Sequence, residues 1–375
     1  MRILSVVTRV ERGLACWVRI SNLARALELG GHEVVFGHYC PRGPCPDGST
    51  LDLGATHMHV VAPRPIIPFV HLSHMLKGTY DIVFANMQFA CMYSLLGRAT
   101  GVPLVFDRHG DIGAEVSCQN DNRDHPHRSA LYAGLGRAVD DIDIVCSSAV
   151  TCPSRSMIDA LATRGFGYER LIYVTNGADL DFFRPQDESV RRDFRERLGI
   201  EDSFVIGYLG GTARWQGVDR IVQAADCLSG SDIKVLVVGG SKEKMAARNV
   251  VHVPRVPSCD MPSYYSACDV LVLPRPSDPA TVVAAPTKFA EYAAMGKPIL
   301  TTPVGDPARF VREHECGLVT SGCSPSQIAE GAVQLKSAGD QALRKMGANA
   351  RELAELEYDW RIIGRHLLAG LGRLQ

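Results

Sequence analysis

Residues 286–302 read PTKFAEYAAMGKPILTT, and the reading of this stretch decides the fold. Proline suits the first position of a helix, where its missing N–H costs nothing. Gly296 suits the left-handed residue that ends a helix, and Pro298 blocks continuation. Phe289, Tyr292 and Ala293 recur at helical spacing and mark a core face. The apolar residues after Pro298 then form a strand, so the stretch is a helix feeding a buried strand. Lys288 and Glu291 lie three apart and share a face in the first two turns. Two readings of that pair stand open: a solvated ion pair, or a ligand site in which lysine and helix amides meet an anion and the carboxylate meets hydroxyls.

The same alternation extends outward through the chain. ILSVV (3–7), DIVFAN (81–86), VPLVFD (102–107), the DIDIVCSSAVTCP region (141–153) and LIYVTNG (171–177) read as strands of a first half. FVIGYLGG (204–211), IKVLVVGG (233–240), VVHVP (250–254), DVLVLP (269–274), PILTT (298–302) and GLVT (317–320) read as strands of a second. Helical stretches separate them, so both halves are expected to be doubly wound α/β units with parallel sheets. The polar segment 184–199 reads as a solvated linker helix. Ligands of open parallel sheets bind beyond the carboxyl ends of the strands. That rule singles out the loops 8–15, 107–111, 209–217, 239–243 and 274–288.

Bulk composition narrows the function classes. The 375 residues carry 40 Lys+Arg against 41 Asp+Glu, which leaves no net basic field for nucleic acid. With no signal-peptide pattern and no apolar run of the 18 to 20 residues a spanning helix needs, a cytoplasmic protein is expected. The 12 cysteines are scattered without a C-x-x-C pair, and Cys146 and Cys268 read as reduced core residues. His57 with His59, His71 with His74, and His125 with His127 lack a third ligand in register, so no metal site is expected. Neither GYLGGT nor VVGGSKEK has the spacing of a dinucleotide fingerprint or P-loop. In LGGTARWQG, Gly-Gly lets backbone approach a ligand, and Arg214 reads as a phosphate contact or as a stacking partner of Trp215.

NGADLDFFRP (176–185), YLGGTARWQGVDRIVQA, MPSYYSACDVLVLP and the stretch from Pro286 to Val319 together resemble family 4 glycosyltransferases of the GT-B fold. The first half, with its RGLA loop, LELGGHEV and TYDIVFAN, resembles their acceptor-side domain more loosely. The resemblance implies two Rossmann-like domains facing each other across a cleft. An acceptor-side domain would span 1–183, a donor-binding domain 184–357, and a C-terminal helix from about 358 to 375 would pack back on the first. It implies a retaining transferase using a nucleotide-diphosphate sugar, with Glu291 on the ribose hydroxyls. Lys288 and Arg214 would meet the diphosphate, assisted by the amides of Thr287 and Gly211 and by the Gly13 loop, and His109 would lie near the reacting sugar carbon. Two positions depart from the pattern. Val283 stands where the first Glu of E-x7-E belongs, which shifts that sugar contact to Asp278 as a candidate. Gln216 replaces the lysine of the phosphate loop.

The same fold also serves nucleotide-sugar epimerases, for which Glu11, Asp111 and Glu115 are the acid/base candidates, and an inactive nucleotide-sugar-binding partner is a third reading. The acceptor is expected to be a glycan, a lipid-linked molecule or a small molecule. RPIIPFVHL (64–72) is the candidate for peripheral membrane contact, with an ordinary packed loop as the alternative. Neither D-x-D match, Asp141/Asp143 or Asp179/Asp181, is expected to hold a metal, and Asp181 is expected to serve a turn.

Overall fold

The computed structural model describes residues 1–7, 15–39, 56–60, 76–86, 93, 97–119, 126–245 and 247–374. Gly13, Glu11, the segment 64–72, His71, His74 and His125 lie outside the described residues.

The chain forms two compact units, one of residues Met1–Thr175 with Trp360–Gln375, the other of Asn176–Asp359. In the first, strands β1 (Arg2–Val7), β2 (Glu33–Tyr39), β3 (Thr56–Val60), β4 (Ile82–Asn86), β5 (Leu104–Asp107), β6 (Ala149–Cys152) and β7 (Leu171–Tyr173) form one parallel sheet, ordered β3-β2-β1-β4-β5-β6-β7. In the second, β8 (Phe204–Leu209), β9 (Ile233–Val238), β10 (Val250–Val253), β11 (Val270–Leu273), β12 (Ile299–Thr301) and β13 (Gly317–Val319) are ordered β10-β9-β8-β11-β12-β13, again all parallel. The strand order reverses beside β1 in one unit and beside β8 in the other. These are the switch points at which open α/β sheets offer their carboxyl-end loops to ligands.

Continuous apolar strands are buried because helices cover both faces. In the first unit Trp17, Ile20, Leu23 and Leu27 of the helix Ala15–Leu29 pack with Ile363, Leu367 and Leu371 of the helix Trp360–Leu371, so the C-terminal helix shares the first core. In the second, Phe289, Tyr292 and Ala293 are buried as their spacing predicts, in a cluster with Tyr265, Phe310 and Tyr358.

The structure moves several sequence expectations. The unit boundary falls at Thr175/Asn176 rather than 183/184. The junction segment belongs to the second unit because Asn176 Nδ2 donates to Ala285 O at 2.8 Å, Ala178 N donates to Tyr358 O at 2.9 Å, and Ala178 and Leu180 join its core. Residues 141–146 are helical, the end of a helix running Pro126–Cys146, and only Ala149–Cys152 is strand. Cys146 is accordingly half-buried, whereas Cys268 is buried. The helix Glu188–Leu198 in the polar segment is not wholly solvated, since Arg195 is buried against Asp269 and the carbonyls of Ala267 and Ser203. Among the described residues no helix is long and apolar enough to cross a membrane.

Candidate functional site

The helix read from residues 286–302 spans Thr287–Ala294 and ends at Gly296, which takes the left-handed conformation (φ 62°). Pro286 is the residue before the first turn rather than in it: its ψ of 123° keeps it extended, so the first helical amides belong to Thr287 and Lys288. The Lys288 stem crosses Gly210 of the glycine loop. A Cβ at Gly210, whose φ is 129°, would come within 2.4 Å of Lys288 Cε. The ammonium lies 5.4 Å from the centroid of the Tyr208 ring, a favourable cation–π placement.

The ion-pair reading of Lys288 and Glu291 fails. Among the described residues no carboxylate lies within ion-pair distance of Lys288, and Glu291 Oε2 instead accepts a 2.5 Å hydrogen bond from the Tyr265 hydroxyl. Burial lowers the Lys288 ammonium below its ordinary range, against the opposing pull of Glu291 and with that of the neighbouring Arg275. Burial likewise raises the Glu291 carboxyl, opposed by Tyr265 and Lys288. Both side chains keep some accessible surface, yet their charged ends lie among desolvating neighbours. A cation and a carboxylate on one helix face, each disfavoured in its charged form, are arranged to gain from a ligand that brings a counter-charge to one and hydroxyls to the other.

The loop around this helix is built from backbone close approaches. Tyr208 hydroxyl donates to Gly211 O at 2.5 Å, holding the exposed Gly211 in place. Gly217 has φ 70°, and a Cβ there would meet Pro274 O at 1.9 Å, so the turn Arg214–Gln216 is pressed onto the end of β11. Arg214 is exposed on that turn. Gln216, in the lysine's place, has its Oε1 buried with no hydrogen-bond partner. Arg275, which sequence reading passed over, is a buried cation on the loop after β11, with Nε 3.5 Å from Trp215 O. Its position directly after the strand, in the loop 274–288, was the available signal.

Asp278 serves as a helix cap. Its Oδ1 accepts from Thr281 N at 3.0 Å, and Thr281 Oγ1 accepts from Asp278 N at 3.1 Å, a reciprocal capping box on the short helix Pro279–Val282. That engagement accounts for one carboxylate oxygen of the expected sugar contact. Val283 is buried as an apolar residue at the end of this helix.

The first unit carries a second polar cluster at the carboxyl end of β5. His109 Nε2 and Asp107 Oδ2 are 2.7 Å apart. Asp107 is fully buried and also takes Arg19 (Nη2 to Oδ1 2.7 Å, Nε to both oxygens 3.1 Å) and the Thr151 hydroxyl. Burial alone would raise this carboxyl, but Arg19 and His109 hold it far below the ordinary carboxylate range. Arg19 is fixed in turn by Val174 O and Thr175 O at 2.7 and 3.0 Å. Sequence reading found His109 and missed the buried Asp107–Arg19 pair that orients it, because 88 residues separate those two in the chain.

Other expected candidates are engaged structurally. Asp111 caps the helix Ile112–Gln119 through Ala114 N at 2.8 Å and lies 3.5 Å from Arg108, which is itself paired with Asp140. Asp141 pairs with Arg164. In the second D-x-D match the turn is made by Asp179, not Asp181: Asp179 Oδ1 accepts from the amides of Asp181 and Phe182 at 3.0 and 3.1 Å. The first aspartate does this because a short carboxylate reaches amides two and three residues on. Among the described residues no group of three or more His, Cys, Asp or Glu side chains converges. The side chains of His57, His59 and His127 lie outside that description.

Residues 190–353 match the family model of glycosyl transferases group 1, and residues 17–182 match that of glycosyltransferase family 4. The chain belongs to the family 4 glycosyltransferases. A D-inositol 3-phosphate glycosyltransferase 1 of Catenulispora acidiphila is 27% identical over 291 residues, covering 72% of this chain and 66% of that protein. One from Corynebacterium glutamicum is 24% identical over 305 residues, covering 76% and 70%. The matched region thus spans about two thirds of these curated relatives, and half of another from Corynebacterium urealyticum. Among solved structures, Anabaena Alr3699/HepE in complex with UDP superposes with a TM-score of 0.75 at 16% identity over 99% of this chain and 100% of that one. Sucrose-phosphate synthase from Thermosynechococcus elongatus gives 0.76 at 18% identity over 100% and 98%. These likenesses establish the GT-B fold of this glycosyltransferase family member.

Proposed function

We propose that the chain is a retaining glycosyltransferase that moves a sugar from a nucleotide-diphosphate donor to a hydroxyl acceptor. The observation that carries this reading is the Lys288–Glu291 face, whose charged groups are desolvated and make no ion pair with each other, Glu291 being bonded to Tyr265 instead. The Glu291 carboxylate suits ribose hydroxyls. The diphosphate is met by Lys288, Arg275 and Arg214 with the amides of Thr287 and Gly211. In the transfer the acceptor oxygen bonds to the anomeric carbon as the bond from that carbon to the diphosphate oxygen breaks, and the acceptor proton leaves with the departing phosphate or to solvent. Fixed cations and helix amides stabilise the charge that develops on the leaving group, without reorganisation at the moment of reaction. The family resemblance gives His109, whose ring is held by Asp107, the role of the histidine near the reacting sugar carbon. Capture of Asp111 as a helix cap weakens the epimerase alternative, since that reaction needs a free carboxylate acid/base.

Incubation with a panel of nucleotide-diphosphate sugars tests the proposal. Free nucleotide diphosphate with a glycosylated product is expected, with the anomeric configuration of the donor retained in the product. An isomerised donor sugar would make the chain an epimerase, and tight binding without turnover an inactive partner. His109→Ala is expected to lower kcat at least about tenfold, within the range of positioned side chains acting at the transition state, while donor affinity measured by calorimetry stays within about threefold. Near-wild-type turnover would return His109 to a loop role.

Because fixed cations supply the leaving-group charge in this reading, turnover is expected to survive exhaustive chelation by EDTA. Activity lost on chelation and restored by manganese would overturn the metal-independent mechanism.

A further inference from the structure

The helix Pro126–Cys146 of the first unit is inside out. Its inner face buries Ala133, Asp140, Asp143 and Ile144, two of the four being aspartates, with Asp140 held by Arg108. Its outer face exposes Leu131 (61%), Leu135 (54%), Ile142 (50%) and Val145 (55%), with the exposed Ala138 between them. Positions 131, 135, 138, 142 and 145 are spaced four, three, four and three, which is the seam of a two-helix coiled coil. A monomer gains nothing from placing such a seam in water.

We propose that this seam is the interface of a symmetric dimer, in which the helix Pro126–Cys146 pairs antiparallel with the same helix of a second copy across a two-fold axis at Ala138. Leu131 then meets the partner's Val145, and Leu135 meets the partner's Ile142. The centre of the face is small: Ala138 is exposed, and a Cβ built at Gly134 meets nothing within 4 Å, so the two helices can approach closely. Leu131, Tyr132, Leu135, Ile142 and Val145 together offer about 500 Å² per copy, so about 1,000 Å² in total, at the threshold of a specific interface. At the carboxyl end of the seam Val145 and Cys146 line a concavity of about 430 Å³ with Leu104 and Arg170. The antiparallel register brings the exposed ring of the partner's Tyr132 to that level.

Charge selects this occupant over a lipid surface. Interfacial membrane helices carry lysine and arginine beside their apolar face. This helix has no lysine, and its three aspartates outnumber its two arginines. The Arg137 stem is directed across Gly113 of the neighbouring helix, where a Cβ would meet its Cγ at 2.2 Å.

Light scattering of the full chain is expected to give twice the chain mass, and Leu135→Glu with Ile142→Glu to give a monomer with unchanged circular dichroism. A short bis-maleimide is expected to cross-link Ala138→Cys to its counterpart beyond the level of the parent chain. Leu131→Cys should not cross-link, since antiparallel pairing keeps it about 20 Å from its counterpart at 1.5 Å rise per residue. A wild type that stays monomeric up to about 100 µM, a double variant that stays dimeric, or cross-linking of Leu131→Cys would overturn the proposal. Sedimentation of the wild type with anionic phospholipid vesicles, lost in the double variant, would overturn it in favour of a membrane surface.

Discussion

Replacing Asp107 by asparagine is expected to destabilise the first unit by about 3–5 kcal/mol, the effect of leaving a buried charge without its partner. The carboxylate accepts from Arg19, Thr151 and His109 at once and is fully buried. An asparagine of the same shape must turn an amide N–H towards one of those donors, and it removes the charge that Arg19 needs. The pH dependence follows from the same contacts. Arg19 and His109 hold the folded carboxyl far below its ordinary range, against the opposing effect of burial. The folded state therefore binds that proton more weakly than the unfolded chain, whose carboxyl titrates near 3.9. The contribution is complete above that pH and is lost as pH falls through it towards the folded value. Melting temperatures from pH 7 down to 3 should decline more steeply for the wild type than for Asp107→Asn on the acid side. A variant within about 1 kcal/mol of wild type at pH 7, a margin ordinary for surface substitutions, would remove Asp107 from this role. Loss of the Asp107 contact should also lower kcat in the fraction that remains folded, since the His109 ring is no longer held.

Glu291→Ala is expected to weaken donor binding by about 3–6 kcal/mol, on the basis of two hydrogen bonds to a charged group at about 1.5–3 kcal/mol each. Tyr265→Phe separates binding from architecture: it removes only the 2.5 Å bond to Oε2. It should cost donor affinity far less than Glu291→Ala if the carboxylate's principal partners are ligand hydroxyls. Burial raises the Glu291 carboxyl, so donor affinity should fall on acidification at a higher pH than an exposed glutamate would give. Isothermal titration with a nucleoside diphosphate reads all three. Unchanged affinity in Glu291→Ala would make the residue a structural partner of Tyr265 alone.

Much of the chain was legible from its sequence. The 286–302 stretch set a helix between two turns and a buried strand, because Gly296 and Pro298 act locally and the apolar spacing has one helical solution. Parallel sheets followed from apolar runs alternating with helices. Motif spacing placed Gly211 and His109 on carboxyl-end loops, since those loops are short and close to their strands, and Lys288 and Glu291 on the helix that follows such a loop. Local patterning was less decisive where an apolar run could be strand or helix, and 141–146 proved helical.

Tertiary structure decided what no spacing carries. Lys288 and Glu291 look like an ion pair in one dimension. In three, Tyr265 from 26 residues away takes the carboxylate, and Tyr208 lies under the ammonium. The Asp107–Arg19 contact joins a strand end to a helix 88 residues earlier. Arg275 is one of many arginines in the sequence and becomes a site residue only because folding buries it beside Lys288. The helix Pro126–Cys146 shows the same division. Its sequence holds both an acidic and an apolar stripe, and only the packed structure reveals that the acidic one faces inward, because Arg108 is there to receive it. Periodicity and turn chemistry act over a few residues and are written in the chain. Desolvation, charge pairing and the choice of which face is buried arise between segments far apart in sequence, so they exist only once the chain has folded.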